Sequence, residues 1–231
     1  RVPGVRRLTF GAESGFIRHV GMYVATLRID EPFGSEREVI IYNTPGRAVS
    51  IHPTRGHAIA AFIFRHGQVQ DMDYRDTGRH KRLVAEVFSG AGWRVPELLG
   101  RVNDSDDLYF DAVSQVRLPR WWQGRVAVVG DAASSLSLFG DGATLAMAGA
   151  DTLAHELTRW AGSAEALPGK AFARYEEAHR AVVAPKLNGY RLGAAMLLPA
   201  PRAGIFTRNT IARAMPALTA VSSFRRNKPP A

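Results

Sequence analysis

Cysteine is absent from this sequence of 231 residues. Its absence excludes disulfide bridges, thiolate metal sites and a cysteine nucleophile. Long apolar runs are missing too, because none reaches the roughly 18 residues that a transmembrane helix needs. The chain opens on no signal-peptide pattern. Together these absences predict a soluble, cytoplasmic protein without a membrane span.

Metal and nucleotide motifs are missing as well. The histidines show no paired ligand spacing, and the single Glu-x-x-His, from Glu176 to His179, lacks the second pair and the further glutamates of a di-iron site. We therefore expect no metal. The sequence has no P-loop lysine, no G-x-S-x-G elbow and no G-x-G-x-x-G fingerprint of a dinucleotide-binding βαβ unit.

Acidic residues are fewer than basic ones, since 21 Asp plus Glu stand against 30 Lys plus Arg, a formal net charge of +9. Nucleic-acid binding would follow from such a charge and predicts salt-dependent association. However, the basic residues form no stripe with interleaved aromatic residues, and no nucleic-acid motif is present. Solvated basic faces are the favoured interpretation, and we expect no nucleic-acid partner.

One ordered stretch lies between Arg125 and Leu157. It begins with a β-branched apolar run over residues 125–129, which predicts a short strand covered on both faces. Asp131 follows directly after Gly130, at the carboxyl end of that strand, where open α/β sheets place their ligands. A carboxylate at this place suits the hydroxyl groups of a polyol.

The second half of the stretch predicts a long helix that opens at Gly140-Asp141-Gly142. Asp141 is a good N-cap residue, because its carboxylate accepts from free N–H groups and complements the positive end of the helix dipole. The glycines on both sides allow the close approach of a flat ligand. The helix N-terminus therefore predicts a site for an electron-rich ring edge.

The stretch reads GRVAVVGDAASSLSLFGDGATLAMAGA. It resembles the GD motif of the class A flavoprotein monooxygenases, the para-hydroxybenzoate hydroxylase-like family, whose pattern is close to GRV-x-x-x-GDAAH-x-x-x-P-x-x-GQG before an alanine-rich helix. The resemblance implies that the aspartate binds the ribityl chain of FAD and that amides after the second glycine face the flavin pyrimidine. The implicated cofactor-binding residues are Gly130, Asp131, Asp141, Gly142, Ala143 and Thr144.

Three positions depart from the family pattern: Ser134 replaces the usual His, Leu138 the usual Pro and Asp141 the usual Gln. None of them removes the ribityl carboxylate or the helix N-terminus. Because Asp141 places a charge near the flavin, we expect its side chain to cap its own helix. The alternative interpretation is a strand, turn and helix with an accidental Gly-Asp pair.

Segments rich in β-formers lie mainly before the motif. They predict strands over residues 20–29, 36–42, 47–52 and 57–65, with a fifth over residues 108–118. Strands joined by short turns form an antiparallel sheet, which packs one face and can offer the other to a ligand. In the resembled family such a sheet covers the reactive face of the flavin and carries the substrate pocket.

Side chains on these strands are candidates for substrate contact. Ser50 and His52 are two residues apart and share one face of their strand. Tyr23, Tyr109 and Asp111 are further single candidates. The favoured alternative is that Tyr23 belongs to the core or rim and that Ser50 and His52 merely face solvent.

The predicted fold class combines α+β and α/β parts: an antiparallel substrate-domain sheet, the C-terminal part of a Rossmann-like FAD-binding domain, and C-terminal helices. Residues 67–104 look helical, with helices over 79–88 and 95–102, and further helices are expected over 164–191 and 210–221. The predicted domains are a connector over 1–15, the substrate domain over 16–118, the GD segment over 119–162 and the C-terminal helices and basic tail over 163–231.

The resemblance implies an FAD-dependent monooxygenase that uses NADPH or NADH and O2 to hydroxylate an aromatic or polyketide-like substrate. Val5-Arg6-Arg7 resembles the sequence after the family's second FAD motif, so that motif and the G-x-G-x-x-G unit would lie before Arg1. We expect a C-terminal portion of such an enzyme, which binds FAD weakly alone unless a separate N-terminal segment completes it. The alternative is a non-catalytic remnant that binds small hydrophobic ligands or a partner chain.

Overall fold

The computed structural model describes residues 3–31, 33, 35–136, 141–160, 168–211 and 213. The chain divides into two compact units. The first comprises Arg1–Tyr23, His66–Gln70 and Asp111–Gly193, and the second comprises Val24–Arg65, Asp71–Phe110 and Ala194–Ala231. Among the described helices, none combines the length and the apolar content that crossing a bilayer requires.

Helices and an antiparallel sheet make up the described residues, so the predicted fold class is confirmed. In chain order the elements are α1 (Pro3–Phe10), β1 (Ile17–Ile29), β2 (Ile40–Thr44), β3 (Arg47–Thr54), β4 (His57–Arg65), α2 (Thr77–Phe88), α3 (Val95–Asp104), β5 (Leu108–Arg117), β6 (Trp122–Gln123), β7 (Val126–Ala127), β8 (Ser134–Leu136), α4 (Gly142–Trp160), α5 (Pro168–Leu197) and α6 over residues 202–211.

The sheet of the second unit has the strand order β2-β3-β4-β1-β5, and β1 and β5 also have residues in the first unit. Strand β3 pairs antiparallel with both β2 and β4, which places Ser50 opposite Ile41 on one side and Ala61 on the other. Directly paired residues project from the same face of a sheet. Ser50 and Ala61 therefore share a face.

Helix α2 covers the opposite face of β4. The ring of Phe88 meets the rings of Phe62 and Phe64 edge-on, at centroid distances of 5.2 and 5.9 Å. All three side chains are buried. Since Phe62 and Phe64 are two residues apart, they point to the same side of the strand, away from the face of Ala61. This aromatic cluster forms the core of the second unit.

The region predicted to look helical over residues 67–104 begins with a segment that is not helical. Residues 67–76 form turns and irregular backbone, and α2 starts at Thr77. Asp73 and Asp76 accept from the backbone N–H groups of Arg75 and Arg79, at 2.9 and 2.8 Å. Such local side-chain bonds compete with helix formation and favour a cap. The prediction of helix over these ten residues is wrong for that reason.

The strand predicted over residues 36–42 begins at Ile40. Ser35 Oγ accepts from the backbone N–H of Arg37 at 3.2 Å, which closes a local turn before the strand. Strands β1, β3, β4 and β5 and helices α2, α3 and α5 confirm the remaining predictions within a few residues at each end. The helix predicted over residues 210–221 lies largely outside the described residues.

The sheet of the first unit has the order β1-β5-β8. The short strand β8 pairs antiparallel with the end of β5, so that Gln115 lies opposite Leu136. The sequence did not predict β8. Buried side chains from the residue before β1, from β5, from the segment after β5 and from α5 form the core of this unit: Phe16, Val116, Leu118, Trp121, Val128, Ala133, Tyr175 and Val183.

The buried strand predicted over residues 125–129 does not form. Residues Val126 and Ala127 pair with β6 in a two-stranded ribbon, and Val126 and Val129 remain 37% and 36% exposed. A strand covered on both faces needs neighbouring strands and helices on each side. Among the described residues this run has β6 as its partner, so its β-branched side chains stay partly in solvent. Val128 alone is held inward, where its carbonyl accepts from the Tyr175 hydroxyl at 3.1 Å.

The segment predicted as a connector over residues 1–15 contains a helix. Pro3–Phe10 is helix α1, and proline suits the first turn of a helix. Arg6 Nη2 forms an ion pair with Glu13 Oε2 at 2.6 Å, and its guanidinium lies 5.4 Å from the centre of the Phe16 ring. These contacts hold the helix against the segment that follows it.

Candidate functional site

A cavity of about 250 Å³ lies within the first unit. The GD turn, the start of α4 and one side of α5 form its wall. Four of the predicted cofactor-binding residues line it, namely Gly130, Asp131, Asp141 and Gly142, together with Ser134, one of the positions that departs from the family pattern. Leu145, Ala146, Val183 and Leu187 supply apolar surface. The structure therefore brings most of the predicted site into one wall.

The backbone conformation and the packing at position 130 both require a glycine. Its φ is +61°, a left-handed conformation that favours glycine. A Cβ at this position would also lie 3.1 Å from the Cβ of Ala146. The turn over Gly130–Ala132 therefore rests directly on α4, and any side chain at Gly130 would push the two apart.

The Asp131 carboxylate lies near the beginning of α4. Its Oδ1 is 3.9 Å from the position that a Cβ on Gly142 would occupy. Arg6 Nη1 donates to the carbonyls of Asp131 and Ala132, at 3.3 and 3.4 Å, and so fixes the turn that carries this carboxylate. The exposed acceptor and the helix start thus face the same space.

Asp141 occupies the capping position of α4, because its carbonyl accepts from the backbone N–H of Leu145 at 2.9 Å. The N–H groups of the first turn, including those of Gly142, Ala143 and Thr144, have no partner within the helix. They carry the positive end of the helix dipole. Ala143 and Thr144 are exposed in this turn.

The Asp141 side chain forms an ion pair. We expected it to cap its own helix, and in the structure its Oδ2 accepts from Nζ of Lys186 on α5 at 2.5 Å. Lys186 lines the same cavity. Sequence analysis missed this lysine because 45 residues separate it from Asp141. A positive charge in a long helix carries no signal that would assign it to a partner.

His179 is a second residue of the wall that sequence analysis did not assign to this site. Its ring is buried and stacks on Tyr175, with a centroid distance of 6.0 Å. A Cβ on Gly149 would lie 2.8 Å from His179 Nε2, so the ring packs against bare helix backbone. Burial lowers the pKa of His179, and a hydrogen bond to the Leu145 backbone opposes that shift. Burial also raises the pKa of Tyr175 to about 12.

The Ser50–His52 pair lies in the second unit. Ser50 is buried, contrary to the solvent-facing alternative, and its Oγ is 2.9 Å from Nε2 of the exposed His52. Tyr109 is 55% exposed. The pair presents a polar group on the sheet face that α2 leaves uncovered.

Tyr23 lies in the protein core, as the alternative interpretation predicts. Its side chain is 1% exposed. Its hydroxyl accepts from the backbone N–H of Val69 at 2.9 Å and donates to the Gly67 carbonyl at 3.4 Å. Asp111 is half-buried in the first unit. The hydroxyl of Tyr23 therefore anchors the segment after β4.

Comparisons with known proteins show which proteins the chain is similar to. No protein-family model matches the chain. A flavin-dependent monooxygenase of Legionella longbeachae is 34% identical over 182 residues, which are 78% of this chain and 46% of that protein. The crystal structure of tetracycline destructase Tet(51) superimposes with a TM-score of 0.73 at 26% identity and covers 93% of this chain and 58% of its own.

A third comparison extends the agreement in fold. The crystal structure of HpxO from Klebsiella pneumoniae, complexed with FAD, superimposes with a TM-score of 0.71 over 95% of this chain at 16% identity. The chain spans about half the length of the proteins that it matches. Among the relatives that the chain matches are flavin-dependent monooxygenases, and its fold is that of the corresponding part of such proteins.

Proposed function

We propose that this chain carries the ribityl-binding and pyrimidine-binding part of the FAD site of a flavin-dependent monooxygenase. One observation carries the proposal: the Gly130 turn brings the Asp131 carboxylate beside the N-terminus of α4, in the wall of one cavity. A carboxylate accepts hydrogen bonds from the ribityl hydroxyls, and free helix N–H groups donate to the carbonyl and nitrogen acceptors of the ring edge.

The residues present fit this part of FAD. The cavity of about 250 Å³ is smaller than the roughly 300–1,000 Å³ of a site for a complete small molecule. Its carboxylates lie at the GD turn and the helix start, α5 adds His179, Lys186 and Tyr190, and apolar side chains of α4 and α5 supply further surface. Such a wall suits the ribityl chain and one ring edge, while the adenosine diphosphate end needs further residues.

FAD, when bound, supplies the redox chemistry by which NADPH or NADH and O2 hydroxylate an aromatic or polyketide-like ring. The residues of this chain bind and orient it. Asp131 fixes the ribityl chain, and the first turn of α4 directs its N–H groups to the edge where negative charge develops. Ser50, His52 and Tyr109 are the candidate substrate contacts. The likeness to a tetracycline destructase supports a polycyclic substrate.

We propose a partner segment as well. Helix α4 exposes an apolar stripe at helical spacing, here called the outer stripe: Ala143, Met147, Ala150, Ala154 and Leu157. Another side of α4 packs inward through the partly buried Leu145 and Leu153. A helix that is apolar on two sides is normally covered on both. A segment with the G-x-G-x-x-G unit, as part of the same enzyme, would cover the stripe and bind the pyrophosphate.

The test of FAD binding uses the chain and its Asp131→Ala variant, titrated with FAD while the flavin absorbance is followed. We expect Asp131→Ala to weaken binding about tenfold or more, because a charge-assisted acceptor is lost. Asp151→Ala is the matched control, since Asp151 is an exposed residue of α4 that does not line the cavity. Equal affinity in both variants would contradict the proposal.

The alternative function is a non-catalytic binding module. The exposed outer stripe favours it, because a stripe of this kind also serves a partner protein. The two functions differ in the same titration: a binding module would take up small aromatic ligands or a partner without any flavin response that depends on Asp131.

A further inference from the structure

The charged groups in the wall of the cavity are unequal in number. Among the described residues that line it, the carboxylates are Asp131 and Asp141, and the single lysine or arginine is Lys186. The Asp141 and Lys186 side chains are 55% and 47% exposed, so neither charge is hidden inside the protein. Both groups can respond to the charge of a ligand in the cavity.

The position of Asp141 creates an electrostatic conflict. At the capping position just before α4 it stands beside the N–H groups that attract an electron-rich edge. Its own carboxylate repels that edge. In the family that the motif resembles, a neutral glutamine stands at this position. Lys186 resolves the conflict, because an ammonium 2.5 Å from Asp141 Oδ2 cancels most of the negative field of the carboxylate at a distance.

We propose that Lys186 is a positioning residue that sets the charge preference of the flavin site. It neutralises Asp141, so that the N–H groups of the first turn of α4 act on the pyrimidine edge. Without Lys186 the Asp141 carboxylate repels that edge, most strongly when the flavin is reduced and the edge carries negative charge. The inference rests on the proposed FAD site. Charges near this edge are among the means by which proteins tune a flavin. The consequence is that loss of Lys186 weakens the binding of reduced FAD more than that of oxidised FAD.

The experiment is a double-mutant cycle on flavin binding. Calorimetry measures the dissociation constants of oxidised FAD, and of FAD reduced with dithionite under argon, for the parent chain, Lys186→Met, Asp141→Gln and the double variant. We expect Lys186→Met to weaken the reduced form about tenfold more than the oxidised form. Asp141→Gln in the Lys186→Met background should restore most of the lost affinity, since it removes the uncompensated charge.

Two further variants separate a charge effect from a structural one. Lys170→Met removes the same charge from the same helix, at a residue that lies over the Trp160 ring and does not line the cavity. It should change both dissociation constants little and equally. Lys186→Arg keeps the charge and should keep both dissociation constants close to those of the parent chain.

Three results would overturn the inference. The first is an equal loss of affinity for both flavin forms in Lys186→Met, and the second is no recovery in the double variant. The third is the absence of FAD binding that depends on Asp131 in the parent chain, which overturns the proposed FAD site together with it. The first two results leave that site standing, so the two failures are distinguishable.

Discussion

Helices α2 and α4 differ in how much of their apolar surface is buried. Helix α2 has 12 residues and buries His80, Val84 and Phe88 against its own unit. Helix α4 has 19 residues, and among the described side chains it fully buries Gly149 and Glu156, neither of them a large apolar group. Its outer stripe includes Met147 at 67% exposure. The described residues cover the apolar side of α2 but leave the outer stripe of α4 exposed.

The difference shows where each unit gains its stability. In the second unit, local hydrophobic pattern and long-range packing agree, because the apolar side of α2 meets the aromatic face of the sheet. In the first unit, the apolar patterns of α4 and of residues 125–129 predict more burial than the described residues provide. Such surplus apolar surface marks an interaction surface.

The largest expected effect comes from Phe88→Ala. Loss of this ring leaves a cavity beside Phe62 and Phe64, and we expect the free energy of unfolding to fall by about 3–5 kcal/mol. The matched change in α4, Met147→Ala, should alter it by less than about 0.5 kcal/mol. Urea denaturation followed by circular dichroism measures both.

Comparable losses for the two variants would mean that α4 is packed as tightly as α2, which would break the comparison. A more stringent test repeats the stability measurement in the presence of the proposed partner segment. When the chain is co-expressed with a G-x-G-x-x-G segment taken from a relative, Met147→Ala should become destabilising, because the outer stripe is then covered.

The next effect concerns the inner side of α4. Gly149→Ala places a methyl group against the His179 ring, and we expect the chain to lose about 1–3 kcal/mol of stability through overpacking. Gly189→Ala on α5 is the control, since a Cβ there would meet no described atom within 4 Å apart from its chain neighbours and the backbone of its own helix. The control should gain about 0.5–1 kcal/mol, because alanine restricts the unfolded chain. Equal thermal shifts of the two variants would contradict the close packing of α4 on α5.

The smallest effect is a pH dependence of the first unit. Burial lowers the pKa of His179 below its ordinary value of 6.5, and burial followed by the nearby His66 charge lowers that of His19. The unfolded chain therefore binds protons more readily. The contribution of these histidines is complete above pH 6.5 and is lost as the pH falls from there through the lowered folded pKa.

Denaturation midpoints between pH 7.5 and pH 5 check this sign. His179→Gln should flatten the decline, and His155→Gln, at an exposed residue of the same unit, should leave it unchanged. A steeper decline in His179→Gln would contradict burial as the cause of the lowered pKa.

Sequence reasoning succeeded where the structure depends on neighbours along the chain. The turn signals around residues 45 and 55 and the β-formers between them define β3 and β4, and the GD motif places Gly130, Asp131 and Gly142 in one cavity wall. It failed over residues 125–129, because the burial of that run depends on strands that the described residues do not supply.

Pairings across long separations in sequence were also invisible. His179 packs on Gly149 and Lys186 reaches Asp141 because α4 and α5 lie side by side, which no local pattern records. The prediction of helix over residues 71–76 was wrong for another reason. Aspartate side chains there accept hydrogen bonds from backbone N–H groups that a helix would have used.

The ribbon of β6 and β7 has a consequence for the behaviour of the chain in solution. Among the described residues the ribbon pairs with no third strand, and it carries the partly exposed β-branched side chains of Val126 and Val129. An open edge of this kind is a template on which another copy can add a strand. The purified chain would therefore self-associate increasingly as its concentration rises. A segment that adds strands beside β7 would cover this edge and so keep the chain soluble, independently of any effect on flavin binding.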